Sequence, residues 1–113
     1  MFYGNDMDRT MLRIGAMNMM LHGVEAPNIT WCDSLSEDNT NREQYSLIMA
    51  NPPFNLKGWY DENLKDDARW ADYSTPPSSN ANYAWILHIL SHLKPLNGVA
   101  GFLLANGALG DSD

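Results

Sequence analysis

Residues 51–54 read Asn-Pro-Pro-Phe and follow directly on a short apolar run, Leu47-Ile48-Met49-Ala50. An amide, two prolines that fix φ and restrict the residue before each of them, and an aromatic ring make a rigid edge suited to gripping a flat nitrogen base. The same residues also suit a strand leaving its sheet through a turn, with Phe54 in the core. Two carboxylates hold comparable places, Asp6 just beyond Phe2-Tyr3-Gly4 and Asp33 just beyond Ile29-Thr30-Trp31-Cys32. His88 and His92 stand four apart, as metal ligands on one helix do. No Glu beside His88 completes a His-Glu-x-x-His pattern, and the single cysteine, Cys32, offers no paired thiolates. The two histidines read as a polar helix face, and no metal site is expected.

The elements that must position these groups fit one domain over residues 1–113, with 44% hydrophobic residues to supply a core. The apolar runs fall well short of a membrane span, and the N-terminal residues lack the basic and apolar regions of a secretory signal. One cysteine excludes an internal disulfide framework and fits a reducing cytosol, so a cytoplasmic protein is expected. The net charge is −7, with the acidic excess between Asp61 and Asp72 and in the C-terminal Asp-Ser-Asp. The seven Lys and Arg residues are scattered. Such a chain is a poor free-standing DNA binder, because phosphate affinity needs cations that release counterions.

Apolar residues at 7, 11, 14, 17, 21 and 24 predict a helix from Met7 to Leu21, with Asp6 or Asp8 at its start and Gly23 at its stop. Met11, Met17, Met19 and Met20 read as adaptable core filling. Strands are expected over Ile29–Cys32, Tyr45–Ala50 and Val99–Ala105, with a polar loop at 36–44 and a long loop at 55–79. Asn80 is the expected N-cap of a helix running to about Leu93. Solidly apolar strands alternating with helices argue for an α/β fold with a mostly parallel sheet covered on both faces. Ligands of such sheets bind beyond the carboxyl ends of the strands, where Asp6, Asp33 and Asn51 would collect along one edge.

Four segments, "GNDMDRTMLRIGAMNMMLHGVE" (4–25), "WCDSLSE" (31–37), "YSLIMANPPFN" (45–55) and "NANYAWILHILSHLKPLNGVAGFLLANG" (80–107), span nearly the whole chain. In these the sequence resembles the N6-adenine DNA methyltransferases, specifically the modification subunits of type I restriction–modification systems. The resemblance implies a partial Rossmann-like fold that uses S-adenosylmethionine. The family's first, central strand and its glycine-rich loop should lie upstream of Met1, and no Gly-x-Gly loop stands at a matching place. The chain is therefore expected to be a piece of the catalytic domain, binding cofactor weakly or not at all by itself.

The resemblance also implies roles. The Asn51 side-chain oxygen and the Pro52 carbonyl would accept from the exocyclic amine of a flipped-out adenine. Pro53 would hold them rigid, and Phe54 would stack on the base. Asp6 would accept from both ribose hydroxyls of the cofactor, Met7 would lie against its adenine ring, and Asp33, with the Ser34 backbone nearby, would accept from its adenine amine. Helix capping for Asp6, core packing for Met7 and an ordinary turn for Asp33 stay open beside these roles. Tyr83 and Trp85 would wall the base pocket or, as the residues alone favour, pack under the loop. The implied partners are duplex DNA and the specificity and restriction subunits of a type I system. Two alternatives keep their place: a methyltransferase for an RNA base or a protein glutamine amide, and a non-catalytic fragment that only associates with other subunits.

Overall fold

The computed structural model describes residues 1–38 and 42–110. Residues 39–41, within the loop expected at 36–44, and the C-terminal Asp-Ser-Asp lie outside the described residues. The chain forms two compact units, Met1–Asn39 and Thr40–Asp113.

In the first unit, β1 (Tyr3–Asp6) pairs in parallel with β2 (Asn28–Trp31), with Tyr3 opposite Asn28 and Asp6 opposite Trp31. The crossover between them is α1 (Arg9–Leu21), as a parallel pair requires. Asp8 is the N-cap, its carboxylate accepting from the backbone N–H of Thr10 at 2.7 Å and of Met11 at 3.3 Å. Gly23 ends the helix at φ +89°, where its N–H reaches the Met20 carbonyl and that of Val24 reaches Met19. This left-handed closure is the reason for a glycine here.

The face of α1 differs from the expected one. Met11, Ile14, Met17, Met20 and Leu21 are all about half exposed or more, so of the methionines read as core filling Met11, Met17 and Met20 face outward and Met19 alone is partly covered. Leu12, Gly15, Ala16 and Met19 are the more covered residues. A Cβ on Gly15 would lie 3.5 Å from Ile29 Cδ1, so the helix approaches β2 along its small residues.

In the second unit, β3 (Leu47–Ala50) pairs in parallel with β4 (Val99–Phe102), Leu47 opposite Val99 and Ala50 opposite Phe102. The connection carries α2 (Asn82–His92) and the long loop. Two strands are shorter than expected, β3 beginning at Leu47 after a lone bridge from Tyr45 to Leu93 and β4 ending at Phe102, while β2 keeps its expected length one residue earlier in the chain. The expected single sheet covered on both faces is, among the described residues, two separate two-stranded parallel sheets. Leu47, Met49 and Val99 are 62%, 80% and 64% exposed, so one face of β3–β4 is uncovered. The core of this unit lies instead under the loop and α2, at Trp59, Leu64, Trp70, Ala81, Ala84 and Ile89. No helix among the described residues is long and apolar enough to cross a membrane.

The start of α2 also differs by a residue. Ala81 occupies the cap position without a side-chain bond, while Asn80 Oδ1 accepts from the Asn82 N–H at 3.0 Å, one residue early. At the other end, the Ser91 and His92 carbonyls accept from the N–H groups of Glu43, Gln44 and Tyr45. Gly98 then turns the chain into β4 so tightly that a Cβ would lie 2.5 Å from the Lys94 carbonyl oxygen and 2.7 Å from Leu93 Cγ. Backbone is the obstacle, so relief requires the turn to move. Gly98→Ala is expected to cost about 2 kcal/mol, within the range for overpacking, measured as the shift in free energy of urea unfolding.

Candidate functional site

The parallel register of β1 and β2 brings Asp6 and Asp33 to the same end of the first sheet. Cys32 N–H donates to the Asp6 carbonyl at 3.0 Å, so the two chains part just beyond these residues. Each carboxylate shapes its own turn with one oxygen. Asp6 Oδ1 accepts from the Asp8 N–H at 2.8 Å, and Asp33 Oδ1 from the Leu35 N–H at 3.1 Å. With Asp8 capping α1, the second oxygen of Asp6 has no hydrogen-bond partner among the described residues. Met7 is two-thirds exposed, and its carbonyl accepts from Trp31 Nε1 at 2.9 Å. Ser34 is half-buried beside Asp33. The four residues expected to hold a cofactor thus share one edge.

Asn51, Pro52, Pro53 and Phe54 leave the carboxyl end of β3 in the second unit. Pro52 is buried and anchors the segment, whereas Asn51 and Pro53 are exposed and Phe54 is 50% exposed. The Asn51 side chain and the Pro52 carbonyl make no hydrogen bond to the described residues. The turn-and-core alternative for Phe54 would bury that ring. An open groove of about 800 Å³ lies elsewhere in this unit, with Arg42, Arg69, Tyr73 and Lys94 in its lining, and none of residues 51–54 borders it.

The residue after the tetrad, Asn55, is a feature that the sequence reading passed over. It takes φ +53°, a left-handed conformation that asparagine tolerates better than most residues. Its N–H donates to Asn82 Oδ1 at 3.0 Å, and its own Oδ1 accepts from Asn82 Nδ2 at 2.9 Å. One residue on, the Leu56 carbonyl accepts from the Ala81 N–H at 2.9 Å. The segment Asn80-Ala81-Asn82 is thus joined to the exit of the tetrad across 27 positions of sequence. The signal that could have found it is the repeated asparagine in "PPFN" and "NAN", an amide able to both donate and accept at each end.

Tyr83 and Trp85 are half-buried; the Trp85 ring meets His88 edge-on at 6.0 Å, and its Nε1 is buried without a hydrogen-bond partner among the described residues. The packing role is the one with contacts. His88 and His92 are not a polar helix face. His92 is 3% exposed, its ring 4.4 Å from that of His88, and its Nδ1 lies 2.6 Å from the His88 carbonyl oxygen, to which it must donate. His88 Nδ1 faces Arg69 Nη1 at 3.0 Å; arginine can only donate, so that nitrogen accepts.

Comparison with known proteins decides the family. The sequence profile described as N-6 DNA Methylase matches residues 1–113. The chain belongs to the N-6 DNA methylase family. The "Type I restriction enzyme HindI methylase subunit" of Haemophilus influenzae is 43% identical over 108 residues, covering 95% of this chain and 24% of that protein. The MjaIX methylase subunit of Methanocaldococcus jannaschii is 41% identical over 112 residues, covering 95% and 20%. The crystal structure of the type I restriction-modification system methyltransferase subunit from Streptococcus thermophilus superposes with a TM-score of 0.83 at 32% identity, over 93% of this chain and 24% of that one. This chain therefore spans between a fifth and a quarter of the length of these relatives.

In this N-6 DNA methylase chain the loop at 55–79 has its own small core. Two single turns of 3-10 helix, Glu62–Leu64 and Ala68–Trp70, bring Trp70 edge-on to Trp59 at 6.0 Å, and Trp70 Nε1 donates to the Leu64 carbonyl. The Arg69 side chain is fully buried and ion-paired with Asp67 at 2.9 Å. Burial pushes the Asp67 carboxyl up, but hydrogen bonds from the Arg69 side chain and backbone, with the charges of Arg69 and Arg42, outweigh it and hold the group below its ordinary value. A lowered carboxylate stabilises the fold above its unfolded pKa and loses that contribution as pH falls through the folded one. Asp67→Asn is expected to remove about 3 kcal/mol at pH 7, since it leaves a buried guanidinium without its counter-charge. Denaturant titrations at neutral pH and below pH 4 check both points: the gap between wild type and variant should close in acid.

Proposed function

We propose that this chain carries the substrate-facing edge of an S-adenosylmethionine-dependent DNA adenine-N6 methyltransferase. It would work in the cytoplasm within a type I restriction–modification assembly, its two units being parts of one Rossmann-like catalytic domain. The observation that carries the reading is the strand end at residues 50–54. A buried proline fixes it, and an amide oxygen and a backbone carbonyl without hydrogen-bond partners among the described residues stand beside a half-exposed aromatic ring.

The chemistry asks for such an edge. The exocyclic amine of adenine is a weak nucleophile because its lone pair is delocalised into the ring. Asn51 Oδ1 and the Pro52 carbonyl would accept the two amine hydrogens, favour a pyramidal nitrogen and aim its lone pair. Held by proline backbone, the acceptors need no reorganisation as charge develops on nitrogen. Phe54 stacks on a base turned out of the duplex, an aromatic contact worth about 1–3 kcal/mol. After transfer, the nitrogen releases one proton to solvent.

Asp6 and Asp33 fit the cofactor's nucleoside end, because each carboxylate is fixed through one oxygen and offers the other. Asp6 would accept from the ribose hydroxyls and Asp33 from the adenine amine, with Met7 against the ring and Ser34 beside it. The cofactor supplies the electrophilic methyl. With a net charge of −7, the grip on DNA phosphates falls to other parts of the assembly, of which a specificity subunit reads the target.

The test is Asn51→Ala in a methylase subunit containing these residues and assembled with its partners. Labelled methyl transfer to duplex DNA should fall by about 10²-fold or more, the scale for losing one preorganised hydrogen-bond partner of the reacting atoms. Undiminished methylation by a folded variant would overturn the assignment.

A further inference from the structure

We propose that Asn82 is a positioning residue for the reaction at Asn51, acting through Asn55; this rests on the functional reading above. The problem that it solves is created by the prolines. Neither Pro52 nor Pro53 has an N–H, so a segment that has just left the sheet cannot be tied down through them. At the sheet end the last tie is the Leu103 N–H on the Ala50 carbonyl at 3.2 Å. The first tie on the far side is Asn55 on Asn82, with the Leu56 carbonyl on the Ala81 N–H one residue further.

The bonding of Asn82 is directed at the loop. Its side-chain oxygen takes the Asn55 backbone N–H and its side-chain nitrogen gives to Asn55 Oδ1. Both ends of one amide thus read one residue, fixing the left-handed turn as well as its place. Asn82 is 6% exposed, its own N–H is held by Asn80 Oδ1, and it contributes no cap to α2 because the cap position is Ala81. A side chain that is buried, bonded through both its amide atoms to one residue and unused by its own helix is there for the segment that it holds.

With the sheet at one end and Asn82 at the other, the Asn51 amide and the Pro52 carbonyl sit on a chain closed at both sides. Removing the Asn82 bonds moves the first fixed point from Asn55 out to Leu56, whose carbonyl keeps the Ala81 N–H, so the backbone over Pro53–Asn55 loosens and the acceptors spread over more positions. Misplacement by about 1 Å costs on the order of 10²-fold in rate. The residues assigned to the cofactor are on the other unit, which gives the effect a signature: kcat falls and the KM for cofactor stays.

Two variants separate positioning from general stability. Asn82→Leu keeps the volume and removes both bonds. Asn82→Asp keeps the acceptor for the Asn55 N–H, and the Asn55 amide turns over to donate to the second carboxylate oxygen, so the tie is retained. The experiment compares them with wild type in the assembled subunit, by steady-state methylation of duplex DNA and by deuterium uptake of a peptide covering residues 54–60. Asn82→Leu should lose roughly 10- to 100-fold in kcat with the cofactor KM within about 2-fold, and should exchange faster over that peptide. Asn82→Asp should stay near wild type in both.

Unchanged exchange in Asn82→Leu would overturn the tie. Faster exchange with unchanged kcat would overturn the positioning role while the functional reading stood. Equal losses in the two variants would overturn the rescue and with it the proposal. No methyl transfer by wild type would overturn the functional reading itself, and the positioning role with it.

Discussion

Proline cannot donate a hydrogen bond, and the rest of the second unit is organised around that constraint. A strand that ends in two consecutive prolines gives up two chances to continue its ladder, so the chain beyond β3 must be secured by something else. The securing group comes from the start of α2, after a loop of about two dozen residues. That loop therefore has to be well defined, because its far end sets where Asn82 stands. Backbone-to-side-chain bonds at Asn55 and a backbone bond at Leu56 turn an otherwise unsupported exit into a fixed one.

The loop meets this demand with an unusual core. It contains little regular structure, yet Trp59 and Trp70 are 7% and 2% exposed. Two indoles at right angles supply apolar area that two short 3-10 turns could not supply by themselves. Arg69 fills the polar remainder, bonded to Asp67 on one side and to His88 of α2 on the other. A buried guanidinium with both flanks occupied is costly to misplace, which favours one arrangement of the loop over its alternatives. The same contact ties the loop to the helix that carries Asn82.

Much of this was legible in the sequence. The β–α–β order of each unit followed from apolar spacing, and the polar residues were rightly read at the carboxyl ends of the strands, Asp33 and Asn51 beyond β2 and β3 and Asp6 as the last residue of β1. What failed has particular causes. Periodicity reports which residues of α1 are apolar, not which face meets the sheet; Gly15 and Ala16 decide that, because only small residues allow the close approach to Ile29. An asparagine near a helix start has the same composition whether it caps its own helix or binds a distant loop. Capping was the role read for Asn80, and Asn82 was given none of its own. His88 and His92 were read as a polar helix face because histidines four apart mark a face without saying what lies against it. The loop core was invisible for a simpler reason: its partners are far apart in sequence and have no shared period.

Tryptophan is distributed unevenly between the two units, and this has a use. Trp59, Trp70 and Trp85 all belong to the second, leaving Trp31 as the sole indole of the first. Trp31 is 57% exposed, carries the Arg9 guanidinium over its ring at 4.4 Å, and is bonded to the Met7 carbonyl next to Asp6. With the other three replaced by phenylalanine, its emission becomes an optical reporter native to the carboxylate edge. Nucleoside titrations could then be followed by light, without a label and without turnover.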